Sequence, residues 1–218
     1  MRHLALRSSF GERSPPRDSI GGVPWVPVSS SPHVCKICKK GLQLFIQFDV
    51  NSRFRIPFED GSHLVIFMCP ECNDIPSFQS YPGGRLPPRF WDLSEGHYFS
   101  ALYRPGGSGG NLGKEHFLKE FELNFIEEAG ICKEPYISVG GYPIWLQDPE
   151  QFYCGCGARM AFIGQVSENY GFPKNLDSPP QPDSFSEDEY CLFLGNELYV
   201  FGCEAMCNER AIWITVQG

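Results

Sequence analysis

Apolar and polar positions alternate in LQLFIQF, where Leu42, Leu44, Ile46 and Phe48 are separated by Gln43, Phe45 and Gln47. A period of two predicts a strand with one buried face. HLVIFMC and ELYVFGC, ending at Cys69 and Cys203, are short β-branched and aromatic runs that predict buried strands. HYFSALY and FELNFIEE add two more strands. Around the latter, Phe117, Phe121 and Phe125 also fit a helical spacing, so both readings of HFLKEFELNFIEEAG stay open. The pattern as a whole predicts a mainly β, β-rich α+β fold.

The strands recur in order. GGVPW and GGYPIW share a Gly-Gly-x-Pro turn, and Gly22 and Gly141 each lie thirteen residues before a cysteine, Cys35 and Cys154. Beyond the cysteines Leu42 matches Met160, Leu44 matches Phe162 and Gln47 matches Gln165. Further on, Leu64 matches Leu198, Ile66 matches Val200, Phe67 matches Phe201 and Cys69 matches Cys203. Equal gaps and paired glutamines point to internal duplication, with two pseudo-symmetric β repeats built as turn, knuckle, strand, loop, strand, knuckle. Each Gly-Gly-x-Pro supplies backbone freedom followed by a fixed φ, marking a sharp turn into an extended segment. Gln47 and Gln165 are expected to satisfy backbone groups of these turns.

Eight of the ten cysteines fall into two sets of four. Cys35-x-x-Cys38 and Cys69-x-x-Cys72 are paired knuckles beside strands, able to offer four thiolates to one tetrahedral zinc ion. Cys154, Cys156, Cys203 and Cys207 occupy the matching places of the second repeat, with one residue fewer in the first pair and one more in the second. Four thiolates leave no position for water, so both sites read as structural zinc, two ions per chain. Cys132 and Cys191 have no counterparts, and Cys191 reads as a small buried hydrophobe. His33 beside the first knuckle reads as an ordinary histidine, and His63, His97 and His116 share no ligand spacing. No nucleophile elbow or phosphate loop occurs, and no acid-base pair stands out, so the expectation is no enzymatic activity. RPGGSGGNLGK reads as a flexible surface loop.

The formal charge of −8 is uneven: residues 133–218 carry four basic and twelve acidic side chains. That field disfavours nucleic acid and favours a basic partner. The 167–190 loop of the second repeat, with six acids, one lysine and several prolines, is expected to be poorly ordered. With no secretory h-region and no run of about 18 apolar residues, the sequence predicts no membrane segment and a cytoplasmic protein. In that setting close-set cysteines hold metal more often than disulfides. The expected organisation is a flexible basic tail over 1–19, a first β/zinc repeat over 20–80, a connecting β segment over 81–133, and a second repeat over 134–218.

Gly-Gly-x-Pro-x-Trp, a knuckle, a strand with Gln, and a Phe-x-Cys strand ending in a second knuckle resemble the YwqG-like family and its relatives around programmed cell death protein 2, grouped as the TYPP domain. The resemblance covers residues 20–80 and 134–216. It implies a β-rich protein without established enzymatic activity. In eukaryotic relatives it implies a zinc-bearing chaperone or adaptor that holds a basic ribosomal protein. Many YwqG-like members lack the cysteines, so the zinc sites rest on the spacing in this chain. The leading expectation is a non-enzymatic zinc-binding protein-interaction module, with Trp25, Trp145 and the acids Glu187, Asp188 and Glu189 facing a basic protein client. The alternatives are an RNA-associated zinc-ribbon-like protein, using Arg2, Arg7, Arg13 and Arg17 as an electrostatic arm, or a toxin-immunity protein.

Overall fold

A computed structural model describes residues 2–8, 16–27, 33–74, 81–93, 96–107, 110–111, 117–127, 136–181 and 186–218. Cys132 and His116 lie outside them. The strands of the first half are β1 (Arg2–Ser8), β2 (Ser19–Ile20), β3 (Trp25–Val26), β4 (Gln43–Asp49), β5 (His63–Met68), β6 (Tyr98–Tyr103) and β7 (Gly110–Asn111). Those of the second are β8 (Phe121–Glu127), β9 (Ile137–Val139), β10 (Met160–Val166), β11 (Gly171–Pro173), β12 (Glu189–Cys191), β13 (Glu197–Cys203) and β14 (Ile212–Gln217). The expected β-rich fold is observed. Within the segment open between helix and strand, Phe121–Glu127 form β8, whose apolar Leu123 and Phe125 alternate with Glu122 and Asn124. No helix among the described residues is long and apolar enough to cross a membrane.

Ten strands form one sheet in the order β14-β13-β10-β9-β1-β8-β2-β4-β5-β6. The order is a palindrome of repeats, since β2, β4, β5 and β6 correspond to β9, β10, β13 and β14. Registers carry the correspondence to single residues. Phe67 pairs with Leu44 and Ile66 with Ile46, with a bulge between Leu44 and Ile46. Phe201 pairs with Phe162 and Val200 with Gly164, with the same bulge. A bulge re-aims the chain and is retained as a feature of a fold, so its recurrence at matched positions is evidence of duplication independent of residue identity.

The pseudo-twofold axis passes between β1 and β8. Ala5 pairs with Asn124 at its centre, while Arg2 pairs with Glu127 and Ser8 with Phe121. His3 reaches Ser138 of β9, and symmetrically Glu122 reaches Ser19 of β2. The opening strand of each repeat therefore pairs within the other repeat's half of the sheet. Within residues 1–19, expected as a flexible tail, Arg2–Ser8 instead supply a central strand; RHLALRS has a period of two in Leu4 and Leu6 that its arginines obscured. The 81–133 connector likewise divides, with β6 completing the first repeat's half and β8 opening the second.

One sheet face carries a core shared by both repeats, with Ile46, Phe48, Leu64 and Ile66 meeting Ile163, Val166, Leu198 and Val200. The outer edges approach each other, since Leu102 N–H donates to the Glu209 carbonyl at 2.8 Å and the Arg210 guanidinium lies 4.9 Å over Phe99. On the opposite face each repeat has its own cluster: Val26, Leu44, Val65 and Phe67 in the first, Phe152, Tyr199, Phe201 and Trp213 in the second. Leu86 and Phe90 cover the second cluster.

The 167–190 loop, expected to be poorly ordered, contains the β11–β12 hairpin, which buries Phe172 and Tyr190 in the shared core. Two large aromatic rings offset the ordering entropy that the surrounding acids and prolines suggested would prevail.

Candidate metal centres

Each cysteine set is assembled by two knuckles at one end of a β-hairpin. In the first, Cys35 N–H donates to the Lys40 carbonyl at 2.8 Å and Lys39 N–H to the Cys35 carbonyl at 3.0 Å, with Lys39 at φ 65°. In the second repeat Cys154 N–H donates to the Ala158 carbonyl and Gly157 N–H to the Cys154 carbonyl, both at 2.8 Å, with Gly157 at φ 93°. One left-handed residue thus closes each turn, and the second repeat uses glycine there, which adopts it without steric cost. The partner knuckles follow β5 and β13 and turn through the left-handed residues Asn73 (φ 40°) and Met206 (φ 44°).

The sulfurs converge. Cys35 and Cys72 lie 3.7 Å apart and Cys38 and Cys69 3.4 Å. Cys154 and Cys207 lie 3.5 Å apart and Cys156 and Cys203 3.6 Å. Within each set all four sulfurs are within 4.8 Å of one another, and these cysteines are not in disulfides. A tetrahedron of Zn–S bonds of about 2.3 Å has edges of about 3.8 Å. Both sets match that size, so each can hold a metal ion with four thiolates. The eight cysteines picked out by spacing are the eight that converge. The single described cysteine outside them, Cys191, is buried.

The opposite half of the chain buttresses each centre. Beside the first, Gln181 donates to the Pro70 carbonyl at 2.8 Å, Asn73 donates to the Cys191 carbonyl at 2.7 Å, and Gln181 accepts from Cys191 N–H at 2.8 Å. Beside the second, Gly155 lies against Pro87 and Pro88, where a methyl group would come within 2.8 Å of Pro88 Cα and 2.9 Å of the Pro87 oxygen. This explains the glycine between Cys154 and Cys156. Exposure differs: Cys35 and Cys69 are buried with Cys38 and Cys72 half-buried, whereas Cys156 and Cys207 are exposed. A Lys40–Glu71 ion pair joins the two knuckles of the first centre.

Burial pushes Cys69 and Cys154 well up and moves Cys72 and Cys207 to about 11. Burial also opposes ionisation of Cys35, but the Cys38 and Ile37 N–H groups hold it below its usual value. The Ala158 N–H lowers Cys156. Binding a cation as four thiolates therefore requires proton release, which makes affinity pH-dependent.

Behind the hairpins, Gln47 and Gln165 hold the Gly-Gly-x-Pro straps. Gln47 Oε1 accepts from Trp25 N–H at 2.9 Å, and its Nε2 donates to the Val23 carbonyl at 2.9 Å and Ser19 Oγ at 3.0 Å. Gln165 Oε1 accepts from Ile144 N–H at 2.8 Å, and its Nε2 donates to Tyr136 Oη at 2.8 Å and Glu197 Oε1 at 2.6 Å. Trp25 thus corresponds to Ile144, and Trp145 to Val26. Trp25 lies under the Arg17 guanidinium at 5.1 Å, while Trp145 stacks on Tyr199 at 4.5 Å. Glu187 and Asp188 are exposed, Glu189 is half-buried in β12, and Lys174 donates to the Glu187 carbonyl at 3.1 Å.

His33, His63 and His97 stay outside both sets. His33 stacks on Phe99 at 3.6 Å, and burial followed by Arg210 lowers it to about 4. His63 is buried and contacts Asp49 at 2.7 Å, while His97 lies 3.2 Å from Asp74. Glu197, the counterpart of His63, is a buried carboxylate bonded to Gln165, Tyr136 and the Glu168 N–H. Sequence reasoning missed this exchange of His63 for Glu197, although their equal distances before Cys69 and Cys203 mark it.

The fold and its sites define a class: an internally duplicated β protein with one four-cysteine group in each repeat. No family model matches the chain, and no curated protein matches it.

Proposed function

We propose that this chain is a non-enzymatic zinc-binding protein-interaction module, an adaptor or chaperone-like holder of a basic protein client. The observation that supports zinc most directly is the convergence of each cysteine set to the size of a zinc–thiolate tetrahedron. Saturating the ion with protein ligands leaves it no open position, so its role is to pin knuckles and not to activate water. The resemblance to the YwqG-like and TYPP proteins supports the client-holding role, and the acidic excess of residues 133–218 supports a basic client in the cytoplasm. Glu187 and Asp188 are the exposed acids offered to it, beside Glu189 on β12.

Affinity purification of the zinc-loaded chain, with mass spectrometry of bound proteins, tests the client. Recovery of one basic protein, lost on Glu187→Lys and Asp188→Lys together, is the expected result. Recovery of RNA with a steep salt dependence would overturn it in favour of nucleic-acid binding.

A further inference from the structure

The two straps after Gly-Gly-x-Pro are held alike by Gln47 and Gln165, but their free sides differ. In the first repeat the strap is β3 and carries an added strand from the same chain: β7 pairs Gly110 with Val26 and Asn111 with Trp25. In the second repeat the matching residues Ile144 and Trp145 pair with no strand among the described residues. Ile144 is satisfied, its N–H by Gln165 and its carbonyl by the Tyr199 hydroxyl at 2.8 Å. The Trp145 N–H and carbonyl have no protein partner among the described residues. An unpaired backbone edge is a template for strand addition.

Beside it opens a cleft of about 340 Å³. Trp145, Phe162 and Phe201 line its apolar part, and Tyr142 at its mouth is 87% exposed. Arg55 and Arg159 face it together with Glu150 and Glu204, so its lining charges cancel. An aromatic cleft of this size with a few polar groups suits a bound segment.

We propose that this edge docks an extended, uncharged, glycine-bearing segment of a partner protein, which adds along Trp145 as β7 adds along β3. Three observations select that occupant. Symmetry supplies its conformation, because the chain's own β7 holds the matching position. Val26 faces Gly110 there, and the bulkier Trp145 makes a residue without Cβ more favourable opposite it. The cancelling charges of the cleft favour a neutral segment over a basic or acidic one. The site rests on the reading of the chain as an interaction module, and no cysteine lines the cleft, so failure to bind peptide with both zinc ions in place leaves the metal reading intact.

The probe is a synthetic peptide of residues 106–113, GGSGGNLG, titrated into the zinc-loaded full chain and followed by amide and indole NMR signals. Saturable shifts at Trp145 with Trp25 unmoved are expected. A peptide with Pro in place of Gly110 should bind about tenfold more weakly, because it lacks the N–H that pairs. Tyr142→Asp, on an exposed side chain, should weaken binding severalfold with the zinc content unchanged. No shift at Trp145 with millimolar peptide, equal binding of the proline peptide, or shifts confined to Trp25 would each overturn the proposal. So would a dimer by light scattering with the Trp145 amide protected in it, since the occupant is then a second copy.

Discussion

Replacing Gln165 by Met keeps the length of a buried side chain and removes every hydrogen bond it makes. The Ile144 N–H loses its acceptor at 2.8 Å, and Glu197 Oε1 loses a donor at 2.6 Å. An unmade bond to a buried backbone group costs about 1–3 kcal/mol, and one to a charged group about 1.5–3. The strap bond is only partly buried, so its share belongs at the lower end, and the expected loss is about 3–4 kcal/mol. Gln47→Met removes the matching strap bonds, to the Trp25 N–H and the Val23 carbonyl, with no carboxylate in its set. Its expected loss is about 2–3 kcal/mol. Guanidinium unfolding at a fixed free zinc concentration, followed by near-UV circular dichroism, measures both. Both variants should be destabilised, Gln165→Met more than Gln47→Met. A loss under about 1 kcal/mol in either, or the reverse order, refutes the view that each amide holds a strap.

Cys69→Ser and Cys203→Ser should each lower the zinc content by one ion per chain; loss of both ions from a single substitution would show the centres to be coupled. Gly155→Ala drives a methyl group into the Pro87–Pro88 backbone, an overpacking worth about 1–3 kcal/mol. It should weaken the second centre alone, read as faster chelator extraction of one of the two ions than in the parent chain, with the other unchanged. Equal extraction in variant and parent would contradict the packing argument. His33, lowered to about 4, stays neutral in the fold while the unfolded chain takes up a proton below about 6.5. Its contribution is therefore complete above that pH and is lost as pH falls from about 6.5 to about 4. His33→Phe keeps the stack on Phe99 and should flatten this part of the stability profile relative to the parent chain; an unchanged profile would contradict the assignment.

The metal sets were legible because ligand spacing survives duplication: Cys154 and Cys156 became interpretable once Gly141 and Gln165 were matched to Gly22 and Gln47. The β4–β5 and β10–β13 hairpins were legible from period-two runs ending at cysteines. Less was visible where a role depends on distant neighbours. RHLALRS reads as a basic tail until β8 and β9 are in place, because seven residues cannot show what they pair with. The acidic composition of the 167–190 loop concealed Phe172 and Tyr190, two residues that decide its order. The two tryptophans follow similar turns, but the strap bonds match Trp25 with Ile144 and so Trp145 with Val26. A one-residue offset moves a side chain to the other face of an extended segment, and the equal Gly22–Cys35 and Gly141–Cys154 spacings already carry it; the Gln47 and Gln165 contacts show it in the fold.

The central claim is that both cysteine sets are zinc centres. Elemental analysis of the protein purified under reducing conditions without chelator, together with zinc X-ray absorption, tests it most directly. The account predicts two zinc ions per chain, each with four sulfur neighbours at about 2.3 Å. A chain that folds with no zinc, or zinc bound through nitrogen and oxygen, would contradict it.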